Sequence, residues 1–204
     1  MKSHLLTACL SVLLLSRFVA AAENAKPKLL DALHSIDPKT TSINELKVKP
    51  VTTKDPKHPK GLEFIADFSK PGTWPNFTKK FPEHTISSKK FSGVRFAAKS
   101  DTNSKVNFQF RSSIAQPDGR PVGYYVEIQG TPEWKEFTFD FSQFKTWEQK
   151  VVKDGVHKVF KAGDPILESD YELFNHCQFV FDVAKRGDAT AAHLIVDNLV
   201  LLSK

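Results

Sequence analysis

The sequence predicts an all-β sandwich of two antiparallel sheets. Three observations carry that expectation. Apolar and polar residues alternate with period two in run after run from Gly61 onward. Gly, Pro, Asn and Asp separate the runs, as turns require. Phe is plentiful, 17 of 204 residues, and several occupy the inward phase, enough to fill one sandwich core without disulfides.

The chain opens on Lys2 and His4, a Leu-rich run from Leu5 to Leu15, and Ser16-Arg17-Phe18-Val19-Ala20-Ala21-Ala22. A basic start, a short apolar segment and an A-x-A site predict a signal peptide over residues 1–22, hence a secreted or periplasmic protein. The apolar run is too short for a membrane span, and no later stretch is suited to one. Residues 23–43 are expected to form a linker or short helix. Leu29, Leu30, Leu33 and Ile36 fall on helical spacing, and Asp37-Pro38 ends the pattern. Residues 44–204, within a mature chain of roughly 180 residues, suit one domain.

Within that domain Lys47 to Lys60 is rich in Lys and Pro and reads as loop after a possible first strand. Leu62, Phe64, Ala66 and Phe68 then alternate with Glu63, Ile65 and Asp67. Val94, Phe96 and Ala98 form a second run, and Val106, Phe108 and Phe110 a third. Gly123 to Phe141 (GYYVEIQGTPEWKEFTFDF) reads as a hairpin around a Gly-Thr-Pro-Glu break. Its inward residues are Tyr124, Val126, Ile128, Phe137, Phe139 and Phe141. Cys177 to Val183 and His193 to Leu202 complete the set. Ser69 to Lys90 and Gln143 to Tyr171 are expected to be long loops. In the first, Trp74 is expected to plug an end of the sandwich, and Asn76-Phe77-Thr78 forms a glycosylation sequon.

Charge and motifs exclude several functions. The net charge of +6 is spread over Lys in the lead-in and loops, with no Arg-rich stripe, so nucleic-acid binding is not expected. Cys9 lies in the leader, so Cys177 has no partner for an internal disulfide. In phase with Phe179 and Phe181, it reads as a small buried apolar side chain. The seven His make no zinc pattern, and no G-x-S-x-G or phosphate loop is present. Two carboxylates facing one glycosidic bond are conceivable, as Glu127 with Asp182 or Asp67 with Glu127. No hydrolase signature surrounds them, and an enzyme is not the favoured reading.

The ordered runs GLEFIADF, FSGVRFAAKSD, KVNFQFRSS, YYVEIQGTPEWKEFTFDFSQF, HCQFVFDVAK and HLIVDNLVLL together resemble the galactose-binding-like jelly roll. Within it they are similar to carbohydrate-binding module family 11 and to the complex I intermediate-associated protein 30 domain. The likeness rests on Lys90 to Lys99, on the set Trp134, Phe137, Phe141 and Phe144, and on the closing Val196-Asp197-Asn198-Leu199-Val200-Leu201. It implies a glycan lying along the polar face of one sheet. A sugar offers C–H faces to aromatic rings and hydroxyls to planar polar groups. Tyr125 and Trp147 are therefore the expected stacking residues. Gln109, Arg111, Glu127 and Asp182 are the expected hydrogen-bonding ones, and Trp134 is a structural anchor. The resemblance also makes Asp197 a candidate ligand of a structural calcium ion. The alternative is an exported structural or assembly protein that uses the same face for a protein partner.

Overall fold

The computed structural model describes residues 27–69, 74–81, 86–87, 90–102, 105–153, 156–165, 174–181 and 190–204. The expected signal peptide and Asp182 lie outside the described residues. Among the described residues no helix is long and apolar enough to cross a membrane.

Two antiparallel sheets face each other. The first is built from β1 (Lys28–Asp31), β3 (Leu46–Thr52), β4 (Lys60–Asp67), β6 (Phe91–Lys99), β9 (Lys135–Asp140) and β13 (Ala191–Ser203), in the order β3-β4-β13-β6-β9, with β1 also paired to β13. The second contains β2 (Thr41–Asn44), β5 (Asn76–Lys80), β7 (Lys105–Ala115), β8 (Pro121–Gln129) and β12 (Phe174–Phe181), in the order β2-β5-β12-β7-β8. A separate hairpin joins β10 (Gln149–Lys153) to β11 (Val156–Phe160).

Aromatic contacts tie the sheets together. Phe64 on β4 lies 5.0 Å from Phe77 on β5 and 5.5 Å from Phe179 on β12, centroid to centroid. Phe96 on β6 lies 4.9 Å from Phe108 on β7. All five rings are buried, as alternation demands of inward positions. Cys177 is fully buried among them, and burial pushes its thiol well above the ordinary range, which makes it inert.

The structure corrects four expectations. The segment read as a helix is extended at Lys28–Asp31 and pairs with β13. Its Leu33 has φ +54°, a left-handed conformation that no right-handed helix contains, and its side chain is buried in the core. Second, β8 and β9 do not form a hairpin. β8 pairs with β7 and β9 pairs with β6, so the Gly130–Glu133 stretch arches from one sheet to the other. Third, both long loops contain strands. The first holds β5, whose Phe77 is core, and the second holds the β10–β11 hairpin, which buries Val151 and Phe160. Fourth, Trp74 is not a plug, because 57% of it is exposed.

Candidate functional site

The strand register of the second sheet arranges its outward side chains in rows. One row runs Lys80, His176, Arg111 and Gly123 across β5, β12, β7 and β8. The next runs Thr78, Gln178, Gln109 and Tyr125. A third carries Asn76, Asn107 and Glu127. Gln109, Arg111, Tyr125 and Glu127 therefore share one face, as the resemblance implied. Asp67, by contrast, ends β4 in the first sheet, so it does not join Glu127 in a carboxylate pair.

Trp147 reaches this face because the chain after β9 runs along the open edge of β8. Lys145 and Tyr125 exchange two backbone hydrogen bonds of 2.9 Å, which continues the sheet by one irregular step. Thr146 is fully buried and holds the turn at residues 161–164. Its N–H donates to the Asp164 carbonyl, and its hydroxyl donates to the Lys161 carbonyl. Gln149 then does what a neighbouring strand would do. Its amide accepts from the Gly123 N–H at 2.9 Å and donates to the Gly123 carbonyl at 2.8 Å. The indole between these anchors is preorganised.

The result is a stack. The Arg111 guanidinium lies over the Trp147 ring, 4.9 Å from its centroid, and the Tyr125 ring is 5.8 Å from Trp147 on a tilt of 30°. Gly123 sits beneath. A Cβ there would come within 2.3 Å of Trp147 Cη2 and 2.4 Å of Arg111 Nη1, so only glycine leaves the space.

Polar contacts fix the other side of Arg111. Its Nε donates to Gln178 Oε1 at 2.9 Å, and Gln178 Nε2 donates to Thr78 Oγ1 at 2.8 Å. Thr78 Oγ1 donates in turn to Asn76 Oδ1 at 3.2 Å, and Asn76 Nδ2 donates to the Trp74 carbonyl at 2.9 Å. This chain crosses the face from Arg111 to the exposed Trp74. Gln109 is 5% exposed and its Oε1 has no hydrogen-bond partner; the same holds for Oδ1 of Asn107. Buried acceptors without donors cost free energy.

A groove of about 620 Å³ opens beside the stack, lined by Arg111, Gln116, Arg120, Trp147, His176 and Gln178 among others. Burial and the nearby Arg120 charge lower the Arg111 pKa to about 10. Burial, then the charges of Arg111 and Lys80, hold the His176 imidazole at about 4, so it is neutral near pH 7. Glu127 lies farther along the face, exposed, with its Oε2 3.9 Å from Lys105 Nζ.

Sequence reasoning missed Gln178 and His176. Both fall on the same alternation phase of the sequence as Asp182, so extending that alternation toward the start of the run would have found them. It also had no signal for Gln116 and Arg120, which the turn between β7 and β8 brings to the groove.

Asp197 lies elsewhere, buried behind the first sheet. Its Oδ1 accepts from His34 Nε2 and its Oδ2 from His58 Nδ1, each at 2.8 Å, and Oδ2 also accepts from Asn198 Nδ2 at 2.9 Å. Calcium takes about six to eight oxygen ligands. Two imidazoles and an amide N–H around one carboxylate do not fit that ion. The Trp134 ring lies 4.5 Å from that of His58, tilted by 30°.

No protein-family model and no curated protein matches the chain. Solved structures do. The family 11 carbohydrate-binding module of the cellulosomal cellulase Lic26A-Cel5E of Clostridium thermocellum is 16% identical over 88% of this chain and 95% of its own, with a TM-score of 0.60. The fold is the galactose-binding-like jelly roll. A family 11 module from the same organism, in complex with a β-1,3-1,4-mixed-linked tetrasaccharide, matches 87% of this chain and 95% of its own at 16% identity, again with a TM-score of 0.60. A family 30 carbohydrate-binding module, 10% identical, covers 88% of this chain and 95% of its own with a TM-score of 0.56. At these identities the likeness establishes architecture.

Proposed function

We propose that the chain is a secreted, non-catalytic carbohydrate-binding protein that holds a glycan on the outward face of its second sheet. The observation that carries this reading is the Tyr125–Trp147–Arg111 stack standing beside the amide row of Gln109 and Gln178. A sugar ring needs an apolar plane and planar hydrogen-bonding groups within one ring's width, and both are present. The stack is fixed by Gln149 and Thr146 before any ligand arrives, which reduces the ordering cost of binding. The shared architecture with a module bound to a tetrasaccharide supports the same reading. The leader-like composition of residues 1–22 supports the secreted part of the reading.

Electrophoresis in gels cast with soluble polysaccharides tests the reading. At least one polysaccharide of a broad plant, algal and bacterial panel retards the wild type. Trp147→Ala and Tyr125→Ala bind it roughly tenfold more weakly while keeping a native far-UV spectrum. Retardation by no polysaccharide, or equal retardation of both variants, overturns it.

A further inference from the structure

Arg111 carries a charge that the described residues leave uncompensated. The groups it touches are neutral, the Gln178 amide, the Trp147 ring and Gly123, and the nearby charge of Arg120 is also positive. Among the described residues no carboxylate pairs with it. Asp118, the acid of the adjacent turn, is held by Arg120, whose Nη2 lies 2.6 Å from its Oδ2. Among the described residues Glu148 is the one carboxylate lining the groove, and it is exposed. Removing a guanidinium from water is costly unless an anion meets it.

The row register extends this imbalance. Lys80 and Arg111 flank the neutral His176 in one row, whereas the next row, Thr78, Gln178, Gln109 and Tyr125, is uncharged. The rows are two residues apart along each strand, roughly 6.8 Å. A sugar ring placed on Tyr125 and Gln109 would set a ring substituent over the cationic row. The free Nη edge of Arg111 suits an oxyanion, because Nε is already committed to Gln178.

We propose that the groove selects anionic polysaccharides, with a carboxylate or sulfate group of the sugar seated on Arg111. This inference rests on the glycan-binding reading and adds the substrate class to it.

Isothermal titration with matched polymers tests it. Polygalacturonate is compared with its methyl ester, a sulfated galactan with its desulfated form, and mixed-linkage β-glucan serves as a neutral reference. The wild type binds the acid or the sulfated form about tenfold or more tightly than its neutralised match, and the pair that shows the difference identifies the anion. That preference weakens with added salt. Arg111→Gln removes the preference, whereas Arg111→Lys keeps part of it. Equal binding of charged and neutral forms, or a preference that survives Arg111→Gln, overturns the proposal while leaving glycan binding intact. Binding to none of the five polymers overturns the proposal, and retardation by no polysaccharide of the broad panel overturns glycan binding with it.

Discussion

One missing side chain makes the Arg111–Trp147 contact possible. Opposite Arg111 in the register stands Gly123, and any Cβ there would meet the ends of Arg111 and Trp147. Those ends can swing away, so the damage from Gly123→Ala falls on the site more than on the fold. We expect a stability loss below about 1.5 kcal/mol in urea unfolding, with a marked change in tryptophan fluorescence. Gly93 supplies the contrast. A Cβ there would lie 2.2 Å from the Phe139 carbonyl oxygen, which is backbone and cannot swing. Gly93→Ala is expected to cost more than about 2 kcal/mol and to leave the fluorescence of the folded protein unchanged. In the sequence Gly123 opens an alternating run. Its role was not legible there, because it depends on a tryptophan 24 positions away that only tertiary structure brings across.

Strands were legible where alternation was long and Phe-rich. β4, β6, β7, β8, β12 and β13 all fall on runs that the sequence displays. Pairing was not legible. Period two marks a strand and its buried side, and it is the same whether the next strand turns back in one sheet or arches to the other, as β8 and β9 do. Short elements were hidden for a different reason. β5, NFTKK, has one core Phe in five residues, too few to show a period, and β1 carries adjacent leucines that fit a helix equally well.

The buried carboxylate of Asp197 explains how the early segments are secured. It joins the last strand to His34, just after β1, and to His58, in the turn between β3 and β4. Asp197→Asn removes the charge and one acceptor from two imidazoles. It is expected to cost about 3 kcal/mol and to speed hydrogen exchange at residues 28–34 and 53–58 before the second sheet is affected. Uniform exchange across both sheets, or no loss of stability, contradicts this role.

For the molecule as a whole, the two sheets divide the work. The first sheet receives β1, β3 and the arch, and Asp197 with its histidines fixes its connections. The second sheet presents rows of amides, a cationic row and an aromatic edge to solvent. The sequence brought Gln109, Arg111, Tyr125, Glu127 and Trp147 into one expected site, because four of them share a strand phase and the fold resemblance supplied the neighbours. It could not show that Arg111 and Trp147 touch, or that Gln178 completes the contact, since those facts depend on register and on the path of residues 145–149.

The central claim is that the glycan lies on the second sheet at Trp147. The three tryptophans make it directly measurable. In an amide and indole correlation spectrum, titration with a retarding polysaccharide's oligosaccharides should move the Trp147 indole N–H, along with backbone signals of Arg111, Tyr125 and Gln178. The Trp134 indole, stacked on His58 beside the first sheet, should stay in place. Movement confined to Trp134, or an unmoved Trp147 at saturating ligand, would contradict the account.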